Sequence, residues 1–120
     1  MRIEIPGVDS TKGLDLYDDD EEIFLTVLRS FATNVPASLD QLRNVSAETL
    51  KDYAVTVHGV KGTCANIGAE ETRQAAIKLE TMAKAGDLSG VLANNEAFLK
   101  QADDLIKAIQ DWLEKFDANS

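Results

Sequence analysis

The stretch 50-LKDYAVTVHGVKGTCANIG-68 decides the secondary structure of the chain. Leu50, Tyr53, Ala54, Val57, Cys64 and Ile67 recur at helical spacing, so they form one apolar stripe. Ser46 is a suitable N-cap ahead of it, with Glu48 in the first turn, and Gly68 is a suitable stop. The reading is a helix over about 47–66. On its surface, His58, Lys61 and Gly62 stand three and four residues apart and share one side. His58 is the only histidine in the chain. A glycine in a helix interior costs roughly 1 kcal/mol against alanine, so Gly62 asks for a reason, and one is the close approach of a bulky partner.

Working outward, the same period continues on both sides. Upstream, Ile23, Phe24, Val27, Leu28, Phe31, Val35, Leu39 and Leu42 mark a helix over about 20–44. The acidic run Asp18–Glu22 sits at its start, where carboxylates favour the positive end of the helix dipole. An EF-hand would need spaced acids and a central glycine, which this run lacks. Pro36 predicts a kink near Ala32, or two helices broken there. Further upstream, residues 1–8 read as extended around Pro6-Gly7. Asp9-Ser10-Thr11 caps a short helical turn that Gly13 weakens. Downstream, Thr72, Ala75, Ala76, Leu79, Met82 and Ala83 mark a helix over about 69–85, closed by Gly86. Asp87 then caps a last helix over about 88–117. Its stripe is Val91, Leu92, Asn95, Phe98, Leu99, Ala102, Leu105, Ile106, Ile109, Trp112, Leu113 and Phe116. Four amphipathic helices with short connections predict an all-α, up-down-up-down antiparallel four-helix bundle with a short N-terminal helical turn. The stripes account for every aromatic residue from Phe24 onward as core.

Composition bounds the function. A chain of 120 residues reads as one domain, 1–120, able to bury a core. The net charge of -9 argues against nucleic acid and anionic membrane as partners. A single cysteine, Cys64, allows no internal disulfide, and no run approaches the ~18 apolar residues of a membrane span. The expected setting is the cytoplasm, and the expected state a monomer.

Helical projection places His58 more closely. At ~100° per residue from Leu50, the apolar stripe centres near ~330° and His58 falls near ~80°, at its rim. Lys51, Ala65 and Gly62 fall near ~100°, ~60° and ~120°. On the next helix, counted from Thr72, Glu80 falls near ~80° at the rim, flanked by Arg73 near ~100° and Lys84 near ~120°. Folding the two helices back at Gly68 brings His58 and Glu80 to levels within ~3 Å. The Glu80 carboxylate is then placed to accept a hydrogen bond from one imidazole nitrogen, fixing the tautomer and freeing the other. Lys51, Lys61, Arg73 and Lys84 gather near one site, or else are solvated surface charges. Val55 and Ile77 point outward on their helices, as contacts for a partner or as scattered surface apolar residues.

Several chemistries fail on counting. One His and one Cys do not make a zinc site, and the Glu-x-x-His pattern of carboxylate-rich sites is absent, so no metal ligands are expected. Cys64 points ~120° away from His58 and ~9 Å along the axis, so no Cys–His nucleophile pair forms. No Walker-type glycine-rich loop is present to cradle a nucleotide.

His58-Gly59-Val60-Lys61-Gly62 with Ile67-Gly68-Ala69 resembles the signature of the histidine-containing phosphotransfer (HPt) domain family, His-x-x-Lys-Gly followed after a spacer by an apolar residue and Gly. Leu79-Glu80, Ala83 and Gly86-Asp87 are similar to the family's second stretch. Ile5-Pro6-Gly7-Val8-Asp9, Gly13-Leu14 and Phe31 are similar to its lead-in. The resemblance covers almost the whole chain. It implies a four-helix bundle that relays phosphoryl groups between receiver domains of a His-Asp phosphorelay fed by a sensor or hybrid histidine kinase. It implies His58 as the phosphorylated residue and Lys61 as the charge partner of the phosphoryl group. Gly62 matches the glycine that leaves room for the receiver. Position 80 matches the imidazole's hydrogen-bond partner, often Gln and sometimes Glu in the family. Gly59 departs from the pattern, where larger residues are common.

The implied chemistry is coherent. A free imidazole titrates near neutrality and is nucleophilic in its neutral form. Phosphoryl transfer needs positioning and charge stabilisation more than covalent help from the protein. Mg²⁺ would come from the receiver, so the chain needs no cofactor of its own and is expected to be a phosphocarrier without autonomous kinase activity. Three readings stay open: this carrier, the phosphoacceptor domain of a chemotaxis-type or hybrid kinase, and a non-catalytic helical docking module. A docking patch would comprise Gly62, Ala65, Val55, Ile77, Lys51, Arg73 and Lys84 around His58.

Overall fold

In a computed structural model, which describes residues 2–119, the chain forms five helices: α1 Ser10–Asp15, α2 Glu21–Gln41, α3 Leu50–Ala65, α4 Glu70–Lys84 and α5 Leu88–Ala118. Helices α2 to α5 make the up-down-up-down bundle, each packed on its chain neighbour, with α5 returning to α2. Phe24, Leu28, Leu39, Val57, Cys64, Leu79, Val91, Phe98 and Ile109 fill the space between them. Those side chains come from all four stripes, as amphipathic helices require.

The helix ends follow local chemistry. Asp20 accepts a hydrogen bond from the Ile23 N–H at 3.1 Å, and Glu21 and Glu22 occupy the first turn of α2. Asp87 does the same for Gly90 at 2.9 Å at the start of α5. Gly68 and Gly86 close α3 and α4 with φ of +73° and +75°, a left-handed conformation that glycine adopts without steric cost. α2 runs unbroken through Pro36, so the two-helix alternative does not occur.

Two boundaries differ from the sequence reading. α2 stops at Gln41, not 44, because the Leu42 N–H turns back to Asp40 and Leu39 and the Leu42 carbonyl accepts from Asn95 Nδ2 at 2.7 Å. α3 starts at Leu50, not 47, and Ser46 does not cap it. The Ser46 N–H instead donates to Thr49 Oγ1 at 2.8 Å, and the Thr49 N–H to the Ser46 carbonyl at 3.2 Å. Such local side-chain bonds compete with helix for the same backbone. Ile23 and Leu92, read as inward, stand 47% and 54% exposed. Each lies ~100° around the helix from the stripe residue beside it. Trp112 and Phe116 are half-buried and stack on each other with ring centroids 5.3 Å apart.

The N-terminal segment positions the turn between α3 and α4. Pro6-Gly7 makes a tight turn closed by Val8 N–H to Ile5 C=O, and buries Ile3 and Ile5. Asp9 caps α1 through Lys12 N–H, and its own N–H donates to Gly68 C=O at 2.9 Å. Gly13 is buried inside α1; a Cβ there would stand 2.6 Å from the Phe24 ring and 3.0 Å from the Ile67 carbonyl. Close approach is thus what this glycine allows. Tyr17 adds a hydrogen bond from its hydroxyl to Asn66 C=O at 2.7 Å.

Candidate functional site

α3 and α4 pack side by side over most of their length, and the site lies across their outer seam. His58 projects from the middle of α3 with 61% of its side chain exposed. Glu80, opposite it on α4, is 6% exposed. The sequence projection set Glu80 at the rim; the structure buries it. Ala76 and Ala83, at i−4 and i+3 on the same face, are small and buried, and His58 and Lys61 from α3 close over the carboxylate.

Three groups converge on that carboxylate. His58 Nδ1 lies 2.5 Å from Oε2, Lys61 Nζ 2.7 Å from Oε1 and Lys84 Nζ 3.2 Å from Oε2. Burial by itself would raise the Glu80 pKa. The hydrogen bonds from Lys61, His58 and Lys84 outweigh it and bring the pKa down to about 2. The carboxylate is therefore ionised at neutral pH and can only accept. In the neutral ring Nδ1 is then the nitrogen that carries the proton, and the Nε2 lone pair is left free.

The remaining sequence candidates separate. Lys84 joins the cluster through an i,i+4 pair with Glu80, a spacing that the sequence displays. Arg73 does not join it as an ion-pair partner: its guanidinium pairs with Glu70 at 3.0 Å, toward the α3–α4 turn. Lys51 is exposed and makes no ion pair among the described residues. Gly62 and Gly59 are exposed, and a Cβ on either would meet nothing within 4 Å. Ala65 and Ile77 are half-buried, while Val55 is 74% exposed. Cys64 is fully buried, and burial pushes its thiol up to about 12, so it takes no part in chemistry at the surface. Among the described residues, no three His, Cys, Asp or Glu side chains come together as a metal site.

A family model described as the Hpt domain matches residues 26–119, most of the chain. The chain belongs to the Hpt domain family. No curated protein and no solved structure gave a match. The match spans all four bundle helices of this Hpt domain except the first five residues of α2. It therefore takes in both sides of the His58–Glu80 seam. It starts beyond α1, so the N-terminal strap that braces the α3–α4 turn lies outside it. At the level of the family, the Hpt assignment carries phosphorelay signalling as a phosphocarrier. No helix among the described residues of this Hpt domain is long and apolar enough to cross a membrane.

Proposed function

We propose that this Hpt domain accepts a phosphoryl group on His58 Nε2 from the phosphoaspartate of one receiver domain and passes it to another. The observation that carries the reading is the 2.5 Å contact between His58 Nδ1 and the ionised Glu80 carboxylate beneath an exposed imidazole. In the forward step, the Nε2 lone pair attacks phosphorus, an N–P bond forms, and the acyl P–O bond breaks to release the receiver's carboxylate. The return step reverses these changes at the second receiver.

The other residues have supporting roles in this reading. Lys61 lies one turn from His58 and offers its ammonium to the charge that builds on the phosphoryl oxygens. Gly62, with open space above it, leaves the approach path clear for the receiver. Mg²⁺ would be held by the receiver's acidic pocket, where it would supply positive charge to the phosphoryl oxygens. Val55, Ala65 and Ile77, with Lys51 and Lys84, form the docking rim; Arg73 stands at its margin because Glu70 holds it.

The test is His58→Gln. An exposed imidazole leaves no core cavity when it is removed, so helicity and melting temperature should stay near the parent values while labelling from a phosphorylated receiver disappears. A folded variant that still takes label places the phosphoryl group elsewhere. A parent chain that binds receivers without ever taking label is a docking module.

A further inference from the structure

The contact between Glu80 and His58 Nδ1 has consequences after phosphorylation. When Nε2 of a neutral, Nδ1-protonated imidazole gains a phosphoryl group, both ring nitrogens are substituted and the ring is a cation. In water such a ring relaxes by releasing the Nδ1 proton. The neutral ring that remains is a poor leaving group, because breaking its N–P bond would expel an imidazolate anion. The protonated ring leaves as neutral imidazole instead. The proton on Nδ1 therefore separates a phosphohistidine ready to transfer from one that is stored.

We propose that Glu80 keeps the Nδ1 proton on phosphorylated His58, so that this domain holds its phosphoryl group in the transfer-ready form. The proposal rests on His58 as the phosphorylated residue. Glu80 acts through the imidazole and is a positioning residue. In the onward step the N–P bond breaks, its electron pair returns to Nε2, a P–O bond forms to the receiver's aspartate, and the Nδ1 proton stays where it is. No other co-reactant is needed.

The geometry makes the buried carboxylate suited to this. Its Oε2 is 2.5 Å from Nδ1 and it has little access to water, so its charge is weakly screened at the ring. The charged groups gathered at this contact are Glu80 and Lys84 from α4 and Lys61 from α3, with Lys51, two turns before His58 on α3, outside the cluster of ion pairs. Among the described residues, no charged side chain of α2 or α5 pairs with any of these. Both lysines oppose the ring proton, but the charge of a phosphoryl group on Nε2 would draw them toward its oxygens. Lys84, 65% exposed, is the freer of the two. As the lysines turn outward, Oε2 is left with Nδ1 as its one close donor. A neutral amide at position 80 would lack the negative charge, and its NH₂ group would favour the deprotonated ring.

The experiment uses phosphoramidate, a small-molecule donor that phosphorylates histidine without a receiver. The full chain and Glu80→Gln are labelled, and the loss of phosphohistidine is followed by phosphorus NMR from about pH 5 to about pH 9. The pH midpoint for loss should fall in the variant by about one unit, giving up to ~10-fold longer life on the alkaline shoulder. Glu80→Asp, which keeps the charge, should restore at least part of the shift. A second readout needs no variant: nitrogen NMR of the phosphorylated parent chain at about pH 8 should show Nδ1 still bonded to hydrogen. Coincident pH profiles, a deprotonated Nδ1, or failure of phosphoramidate to label His58 would overturn the proposal. A shifted profile in a chain that exchanges no phosphoryl group with any receiver would sustain it while defeating the relay.

Discussion

Lys61 Nζ stands 2.7 Å from Glu80 Oε1, on the opposite oxygen from the one that His58 engages. Both donors come from α3, and the buried acceptor comes from α4. The lysine that serves the phosphoryl group in the proposed reaction is thus held beside the imidazole before any phosphoryl group arrives. Pre-positioning of this kind lowers the reorganisation needed in the transition state.

Lys61→Ala should slow phosphoryl transfer by about 10-fold or more at saturating receiver while changing receiver affinity much less. Rapid-mixing transfer rates set beside titration affinities decide this. An affinity loss at unchanged transfer rate would make Lys61 an interface residue only.

The glycines of the chain divide by surroundings, and substitutions should divide with them. Gly62→Ala places a methyl in open space on a helix and should stabilise the domain by up to ~1 kcal/mol. Gly62→Gln should keep the fold and block transfer by filling the receiver's path. Gly13→Ala drives a Cβ into Phe24 and the Ile67 carbonyl and should cost roughly 1–3 kcal/mol. Thermal melts of the three variants, with transfer rates for the Gly62 pair, check the set. Native-rate transfer by Gly62→Gln would remove the argument for an open approach.

Acid should expose the worth of Glu80. Its pKa of about 2 lies below the ordinary 4.5. A carboxyl whose pKa falls on folding stabilises the fold above its unfolded pKa, and that contribution drains away as pH falls toward the folded value. The gap in melting temperature between the parent and Glu80→Gln should therefore narrow from pH 4.5 down to about 2. Glu70 and Asp117, also lowered by their cationic partners, are common to both proteins and cancel in the gap. A gap that stays constant over this interval would mean that Glu80 is not the depressed carboxyl.

Tyr53→Phe should destabilise the bundle by about 1–3 kcal/mol, the cost of orphaning a buried acceptor. The Tyr53 hydroxyl donates to Asn95 Oδ1 at 2.8 Å, and Asn95 Nδ2 donates in turn to the Leu42 carbonyl. This buried chain ties α3 and α5 to the end of α2, and burial pushes the Tyr53 phenol well above its ordinary range. Denaturant melts of Tyr53→Phe and Asn95→Leu measure it. Unchanged midpoints in both would show the network to be dispensable.

The sequence by itself determined the class of the fold, because helical periodicity, acidic starts and glycine stops act within a few residues of one another. Asp20, Gly68, Gly86 and Asp87 do in the structure what their positions along the chain predict. The level of Glu80 opposite His58 was legible too, since rise per residue and a tight turn at Gly68 set it. What only the tertiary structure decided is depth and choice of partner. Projection gives an angle on one helix, whereas burial depends on what the neighbouring helix places over it; Glu80 therefore reads as rim and lies beneath His58 and Lys61. Arg73 projects beside Glu80, but a long side chain takes the nearest carboxylate, and Glu70 stands 3.0 Å away. Ser46 reads as a cap until Thr49 competes for its backbone. Asn95 lies in an apolar stripe with no local sign of its purpose, because its two partners are 42 and 53 residues away and only packing of the bundle brings them to it.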